Sequence, residues 1–414
     1  MPHLPVGAPG RSGIHAVEGI GRSIGRPRTM GRPIGPWAFA GVAVASFGGP
    51  LALAALFAPT ILGDASGSAG LTAIAAVVVF TAPLAIWLRY SRRVSSSGGL
   101  YSFVEAAAGR RVALVQAGVW IVSYLLYLVY TTLQIVYDLL PGIIPGERGY
   151  QTALALLIPI ALAGVMIAGR GIALLVIGVI AAGQLALAGV LDGVAIGHLS
   201  TPASTFAAGA PVGPLAKASA QTSLLYVCGS LPLFLGGELA SPARTIRRSL
   251  IAAYGLTAVV VLLAVAPLAA APGLPQTAVP GVSLVEQFGG GGLAEAIGIG
   301  VAASIAGVIL CEYLALTRLV HAIGGWQIRP VTIAVGAVMV LAAPLTLIDP
   351  QGFYNSLIQP SLIALWLSQL IVFAVYPSFA RKHGERLAPA WALAAVASGL
   401  ALYGLWTGIQ STVS

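Results

Sequence analysis

Ser46-Phe47-Gly48-Gly49-Pro50, in the middle of the first long apolar run, and Cys228-Gly229-Ser230-Leu231-Pro232, in the middle of the sixth, decide how this 414-residue chain folds. Proline lacks a backbone donor and glycine has poor helix propensity, so both strings unwind a helix from within. Unwinding frees N–H and C=O groups at a depth where lipid cannot satisfy them, and such backbone persists only where it is enclosed by protein or lines a polar site. Glycine and proline also serve to kink helices or to let them pack closely, and either break taken alone is open to that reading.

The surrounding composition makes depth in a membrane the relevant frame. Only 8% of residues are charged and 58% are hydrophobic, with a mean hydropathy of +0.94, against roughly 25% charged in a soluble domain. An ordinary soluble enzyme is excluded. Apolar runs of the length that crosses ~30 Å of hydrocarbon fall near 37–61, 70–88, 112–139, 151–168, 172–191, 218–240, 249–271, 293–317, 331–348, 354–376 and 389–409, here helices 1 to 11. With the N-terminus cytoplasmic, nineteen of the 21 Lys and Arg residues fall on the inner side and only Arg148 and Lys217 on the outer. Positive loops stay cytoplasmic, so this asymmetry supports both the span count and an N-inside orientation, and an odd count puts the C-terminus outside. The net charge of +9 is thereby a matter of topology, with no nucleic-acid partner implied. Residues 1–36 carry Arg11, Arg22, Arg26, Arg28 and Arg32 among Gly and Pro without an apolar core, and read as a disordered cytoplasmic tail instead of a signal peptide. Residues 377–414 read as a cytoplasmic loop and one additional helix.

Within this plan the two breaks lie five helices apart, each in the first helix of a five-helix half (37–191 and 218–376). Inverted-repeat secondary transporters place a midplane substrate site between such discontinuous helices. The fold expected is therefore an all-α polytopic membrane protein of about eleven transmembrane helices, with helices 1 and 6 discontinuous.

Two further stretches resemble the amino acid, polyamine and organocation permeases. After helix 2, Arg92-Arg93-Val94-Ser95-Ser96-Ser97-Gly98-Gly99-Leu100-Tyr101 leads to Ala108-Gly109-Arg110, similar to that family's basic residue, Gly-Gly-Leu-Tyr and short helix ending in Gly. At the end of helix 6, Glu238-Leu239-Ala240-Ser241-Pro242-Ala243-Arg244-Thr245-Ile246 resembles its Glu, Asn-Pro, basic, Thr-Ile pattern, and Arg318-Leu319-Val320 is a fainter echo. The resemblance implies two inverted five-helix repeats of the LeuT-like kind, spanning 37–376, with substrate held between helices 1 and 6 and against helices 3 and 8. Departures are the short glycine string in helix 1, Ser230 where an acid is often found, no lysine in helix 5 and no twelfth helix.

An amino acid brings a carboxylate and an ammonium out of water, and each needs partners. Around Gly48 and Gly49 the N–H groups of a half-helix suit a carboxylate, and carbonyls near Ser46 and Phe47, with those of Cys228, Gly229 and Ser230, suit an ammonium. Tyr226 beside the second break is placed to close over a substrate or to pack in the core. Tyr124, Tyr127 and Tyr130 recur at i, i+3 and i+6 on helix 3, and Tyr124 is the one assigned to the site. Charged residues inside spans are few. Glu312 in helix 8 lies about 9 Å deeper than Arg318, where a carboxylate costs roughly 2.5–3.5 kcal/mol unless paired or hydrated. It reads either as a proton or cation site or as half of a structural pair with an arginine. Glu238 reads as a gating or structural ion pair with Arg244, Arg247 or Arg248. Gln184 in helix 5 and Ser304 in helix 8 are at a depth suited to a coupling site or to an interhelical hydrogen bond. Asp64, Asp138, Asp192 and Asp349 fall at outer ends, where solvation is expected. The five histidines fall in tails or loops and Cys228 and Cys311 lie in apolar runs, so no metal, haem or disulfide framework is implied. No phosphate-binding glycine motif with a following Lys-Ser or Lys-Thr exists, so no cofactor is expected. The function implied is a secondary transporter in the cell membrane for an amino acid or related amine with a co-transported proton or cation, or else an exchanger or carrier of another small organic solute; a membrane enzyme or non-transporting sensor is the reading from another class.

Overall fold

The computed structural model describes residues 33–143 and 149–413. The tail arginines, His3, His15 and Arg148 lie outside the described residues, as does the side chain of Asp138. Among the described residues, eleven helices are long and apolar enough to cross a membrane: Pro36–Gly63, Ser66–Ser91, Arg110–Tyr137, Gly149–Ile167, Arg170–His198, Val212–Glu238, Pro242–Ala270, Gly291–Gly324, Ile328–Leu347, Pro350–Lys382 and Leu387–Gln410. They correspond one to one with the expected spans, and the described residues contain no β-strand. The chain is an all-helical, multi-pass membrane protein. We call the side that carries Arg89, Arg170, Arg318 and Arg329 the basic face.

Two shorter helices lie outside the spans. Leu100–Ala108 precedes helix 3, as the Gly-Gly-Leu-Tyr motif implied, whereas Pro280–Gly289 was not expected and lies across the opposite face between helices 7 and 8. Helix 8 runs on to Gly324, so His321 stands in its last turn and His198 ends helix 5; these two histidines are helical, not in loops as expected.

Enclosure is uneven. Helices 1 and 6 are the most buried of the eleven, while helices 4, 5 and 11 are the most open to lipid. The broken helices thus occupy the protein interior, the one place where irregular backbone is tolerated. Small residues let them in: a Cβ on Gly41 of helix 1 would stand 3.2 Å from the Cα of Gly178 on helix 5, so these two backbones touch as in close-packed membrane helices. Helix 10 is bound to helix 3 by polar pairs, Ser123 Oγ to Ser361 O and Ser361 Oγ to Ser123 O at 2.8 Å each, and Gln116 Nε2 to Ser368 Oγ at 2.9 Å.

The first break is a turn. Helix 1 is regular through Ser46, Gly48 and Gly49 then take φ of +74° and +66°, values that side-chain-bearing residues rarely adopt, and Pro50 restarts the helix as prolines do at first helical positions. The second break begins earlier than expected, since regular helix stops at Leu224 and not at Cys228. Beyond it, Val227–Glu238 winds as i→i+3 turns for 12 residues, far past the usual three or four. Gly229, Gly236 and Gly237 favour an α-helix poorly, and Pro232 cannot donate to an i→i−4 ladder at all.

The two breaks interlock. The Phe47 ring, fully buried, lies over Gly229, where an added Cβ would stand 2.2 Å from the ring edge. Gly229→Ala therefore forces the breaks apart, and should cost about 1–3 kcal/mol of stability in thermal unfolding of the detergent-solubilised protein. Combining it with Phe47→Leu should recover part of that loss; strictly additive effects of the two changes would show that the breaks do not bear on one another.

Candidate functional site

A cavity of about 230 Å³ opens beside both breaks. Its walls are Gly48 of helix 1, Tyr127 and Tyr130 of helix 3, Val227 and Cys228 of helix 6, and Val308 of helix 8, with Tyr354 and Leu362 of helix 10 closing the side. Toward the face opposite the basic one it meets a second hollow of about 340 Å³, with which it shares Phe57 and Gln134. Both mouth residues sit in wide-turn segments, Leu53–Phe57 and Gln134–Leu139, the π-type irregularities that recur near functional sites. The two hollows thus line up from the breaks toward the non-basic side.

Helix 8 builds the floor. Ile305 and Val308 line the cavity, and Glu312, one turn further along the same face, lies beneath it with no solvent exposure. Glu312 Oε1 accepts only from Cys228 Sγ, at 3.8 Å, and Oε2 has no partner. The Tyr124 hydroxyl makes no conventional hydrogen bond among the described residues, and Cys228 and Glu312 are among the ionisable groups around it. Among the described residues no arginine pairs with Glu312, so the structural-pair reading is not what their geometry shows. Beneath the second break, Ser230 Oγ donates to Val227 O at 3.1 Å and accepts from Gln369 Nε2 at 3.3 Å.

Behind the first break, Ser304 Oγ donates to Gln184 Oε1, and both side chains crowd Gly49, where a Cβ would meet Ser304 Oγ at 2.2 Å. Gln184 Nε2 is buried without a partner. These two residues, proposed from depth alone, are hydrogen-bonded to each other and packed against helix 1 at Gly49, and neither lines the cavity. At the turn itself the Gly48 N–H donates to Ser46 O at 2.8 Å, and Ser46 Oγ donates to Ala43 O at 3.0 Å. The expected free N–H at Gly48 is therefore spent within the turn.

Tyr226 stands apart from the cavity. It is fully buried in an aromatic cluster with Phe80, 5.5 Å away, and Tyr254, 5.4 Å away, and Tyr254 in turn contacts Phe47 at 5.6 Å. The core-packing alternative is the one the structure adopts for it. On helix 3 the tyrosines divide: Tyr127 and Tyr130 face the cavity, while Tyr124 stacks on Trp120 at 3.9 Å on the floor side. Gln134, Tyr354 and Gln369 were missed. Their signal was a polar group on an otherwise apolar face, which looks the same for a residue at a lipid headgroup.

The basic face is shut. Glu238, expected beside Arg244, Arg247 and Arg248, instead receives Arg170 Nη1 at 2.7 Å and Arg318 Nε at 2.9 Å. The three nearer arginines are exposed because the chain turns at Ser241 and starts helix 7 at Pro242, carrying them away. The Ile34 N–H donates to Glu238 O at 2.9 Å, so residues before helix 1 join the same lock. The Ser95–Gly99 loop lies against it: a Cβ on Gly237 would stand 2.7 Å from Ser97 Oγ, and one on Gly99 would stand 2.6 Å from the Phe234 ring. The two stretches that resemble the permeases therefore meet in space. Among the acidic residues of the opposite face, Asp64 is exposed and 4.0 Å from Lys217, Asp349 caps helix 10 by accepting from Gly352 N, and Asp192, expected to be solvated, is only 8% exposed.

No protein-family model and no curated protein sequence matches the chain. Solved structures do. MhsT in complex with L-phenylalanine superposes with a TM-score of 0.61 at 13% identity, over 92% of this chain and 99% of that one. The chain has the LeuT-type transporter fold. A manganese transporter from Eremococcus coleocola gives 0.59 at 12% identity over 91% and 86%, and a Na+-coupled sialic acid symporter in a substrate-bound outward-open state gives 0.55 at 12% over 92% and 90%. Identities this low establish architecture and nothing about cargo.

Removing the Glu238 carboxylate leaves two arginines facing each other, one of them only 4% exposed, a loss of about 3–5 kcal/mol to the closed arrangement. Glu238→Gln should open the basic face. With both native cysteines replaced and Ser96→Cys introduced, labelling by a polar maleimide should speed up about tenfold in the Glu238→Gln protein; an unchanged rate would mean the lock does not hold that face shut.

Proposed function

We propose that this protein is a secondary active transporter that moves an amino acid or related amine across the cell membrane by alternating access, with a proton or cation as the coupled species. One observation carries the reading: a cavity reached from one face ends at two broken helices, while the other face is sealed by a buried ion-pair lock. A channel needs no such opposition between an open and a locked end. The LeuT-type fold supports the same conclusion, as do neighbours of that fold which are a manganese transporter and a Na+-coupled symporter. We take the basic face as cytoplasmic on the positive-inside rule, which makes this conformation outward-facing. The chain divides on this reading into two five-helix halves, 37–191 and 218–376, with helix 11 added at the edge. Substrate lies at Gly48, Tyr127, Tyr130 and Cys228, with Tyr124 and Glu312 beneath. Gln184 and Ser304 tie helix 1 to helices 5 and 8, so that movement of the first half is felt at Gly49. Glu238 gates the cytoplasmic side.

Counterflow in proteoliposomes tests this without knowledge of the coupling ion. Vesicles loaded with unlabelled amino acids and amines and diluted into a labelled mixture should accumulate label transiently. Absence of accumulation from a folded preparation, with polyamines and nucleobases as well, would overturn the transport reading.

A further inference from the structure

The cavity is lopsided in charge. Among the described residues no Lys, Arg or His lines it, and the buried Arg318 and the partly buried Arg170 are committed to Glu238 at the far end. The carboxylate at its floor, Glu312, has one oxygen unpartnered and the other held only by a thiol, which is a weak donor. A zwitterion would need an anion seat as well. Of the positions that would offer one, the Gly48 N–H is already donated to Ser46 O, and the cavity wall carries no cationic side chain. Above the floor are aromatic rings: Tyr127 and Tyr130 are steeply inclined neighbours at 4.9 Å and 61°, and Tyr130 meets Tyr354 edge-on at 5.7 Å. Rings around a carboxylate make a seat for a cation, since the ring faces attract positive charge. Apart from Gln134 at the mouth and the Cys228 thiol, the remaining wall, Val227, Ile305, Val308 and Leu362 among it, is apolar. The volume of about 230 Å³ is that of about eight waters at ~30 Å³ each, room for one small monomer.

We infer that the substrate is a monoamine without a carboxylate, its ammonium on Glu312 within the tyrosine rings and its apolar body between helices 6, 8 and 10. This deepens the transporter reading by choosing the amine over the amino acid, and it assigns Glu312 to the substrate's charge and not to a separate coupling ion. Cys228 lies between cavity and carboxylate, so its thiol must turn aside when the ammonium arrives.

Equilibrium binding tests the inference independently of transport. The purified protein in detergent is titrated with three compounds that share a phenylethyl body: 2-phenylethylamine, phenylalanine and 3-phenylpropionate, each followed by the rise in Tm. The amine should stabilise at the lowest concentration, phenylalanine should bind at least about tenfold more weakly because its carboxylate enters unpaired, and 3-phenylpropionate should give no shift. Glu312→Gln should weaken the amine by about a hundredfold. Should that variant fail to fold, Tyr127→Leu against Tyr127→Phe provides the second reading, the leucine weakening the amine about fivefold and the phenylalanine leaving it near wild type. Phenylalanine binding as tightly as the amine, amine binding that survives Glu312→Gln or is indifferent to Tyr127→Leu, no shift with any amine, or a shift given by NaCl or MnCl2 alone would each overturn it. Amine binding in a protein that shows no counterflow would remove the transport reading and leave the ammonium seat standing.

Discussion

Everything in this molecule depends on how two lengths of irregular backbone are kept away from lipid. A helix that unwinds in hydrocarbon loses hydrogen bonds worth several kcal/mol each, and here two do so side by side. The structure meets the requirement by enclosure and by local turns. Helices 1 and 6 are the most buried, Gly48 bonds back to Ser46, and Phe47 fills the groove left by Gly229. Because each break is covered partly by the other, neither has an independent conformation. The cavity beside them is a consequence of that shared covering, as neither helix has regular side-chain rows to close the gap.

The helix plan was almost wholly legible in the sequence because it rests on two strong constraints, hydrophobic length and the sidedness of positive charge. The short helix Pro280–Gly289 was not, since its ten residues are too few to register as a span and too apolar to stand out as a loop. The positions of the breaks were legible because proline and glycine act locally, although the early end of regular helix at Leu224 was not, as no breaker lies there. Glu312 was found because an acid in a span is rare. Its environment was invisible, as sequence spacing cannot say whether the nearest arginine points toward it.

Glu238 shows the same limit from the other direction. Proximity along the chain favoured Arg244, Arg247 and Arg248, but the turn at Ser241–Pro242 sends those residues to solvent and leaves a buried carboxylate to be met by helices 5 and 8. The partners that matter come from 68 and 80 residues away. That arrangement ties the basic-face ends of three helices into a single joint, so a change in any one must be accommodated by the other two. The lining of the cavity was legible only by half: Tyr127 and Tyr130 came with Tyr124 as a spaced triplet, and which of the three faces inward is set by the rotation of helix 3 against helix 10.

The inner half of helix 6 holds a reserve of length. Its 12 residues in i→i+3 turns, at about 2.0 Å of rise each, reach roughly 24 Å, whereas the same residues at about 1.5 Å in an α-helix would reach roughly 18 Å. Rewinding would shorten the segment by about 6 Å, a little more than one helical turn. With Phe47 pinning its upper end at Gly229, that shortening would be delivered at the lower end, where Glu238 is held. The segment has the dimensions of a drawn spring, anchored at the cavity and latched at the basic face by two arginines.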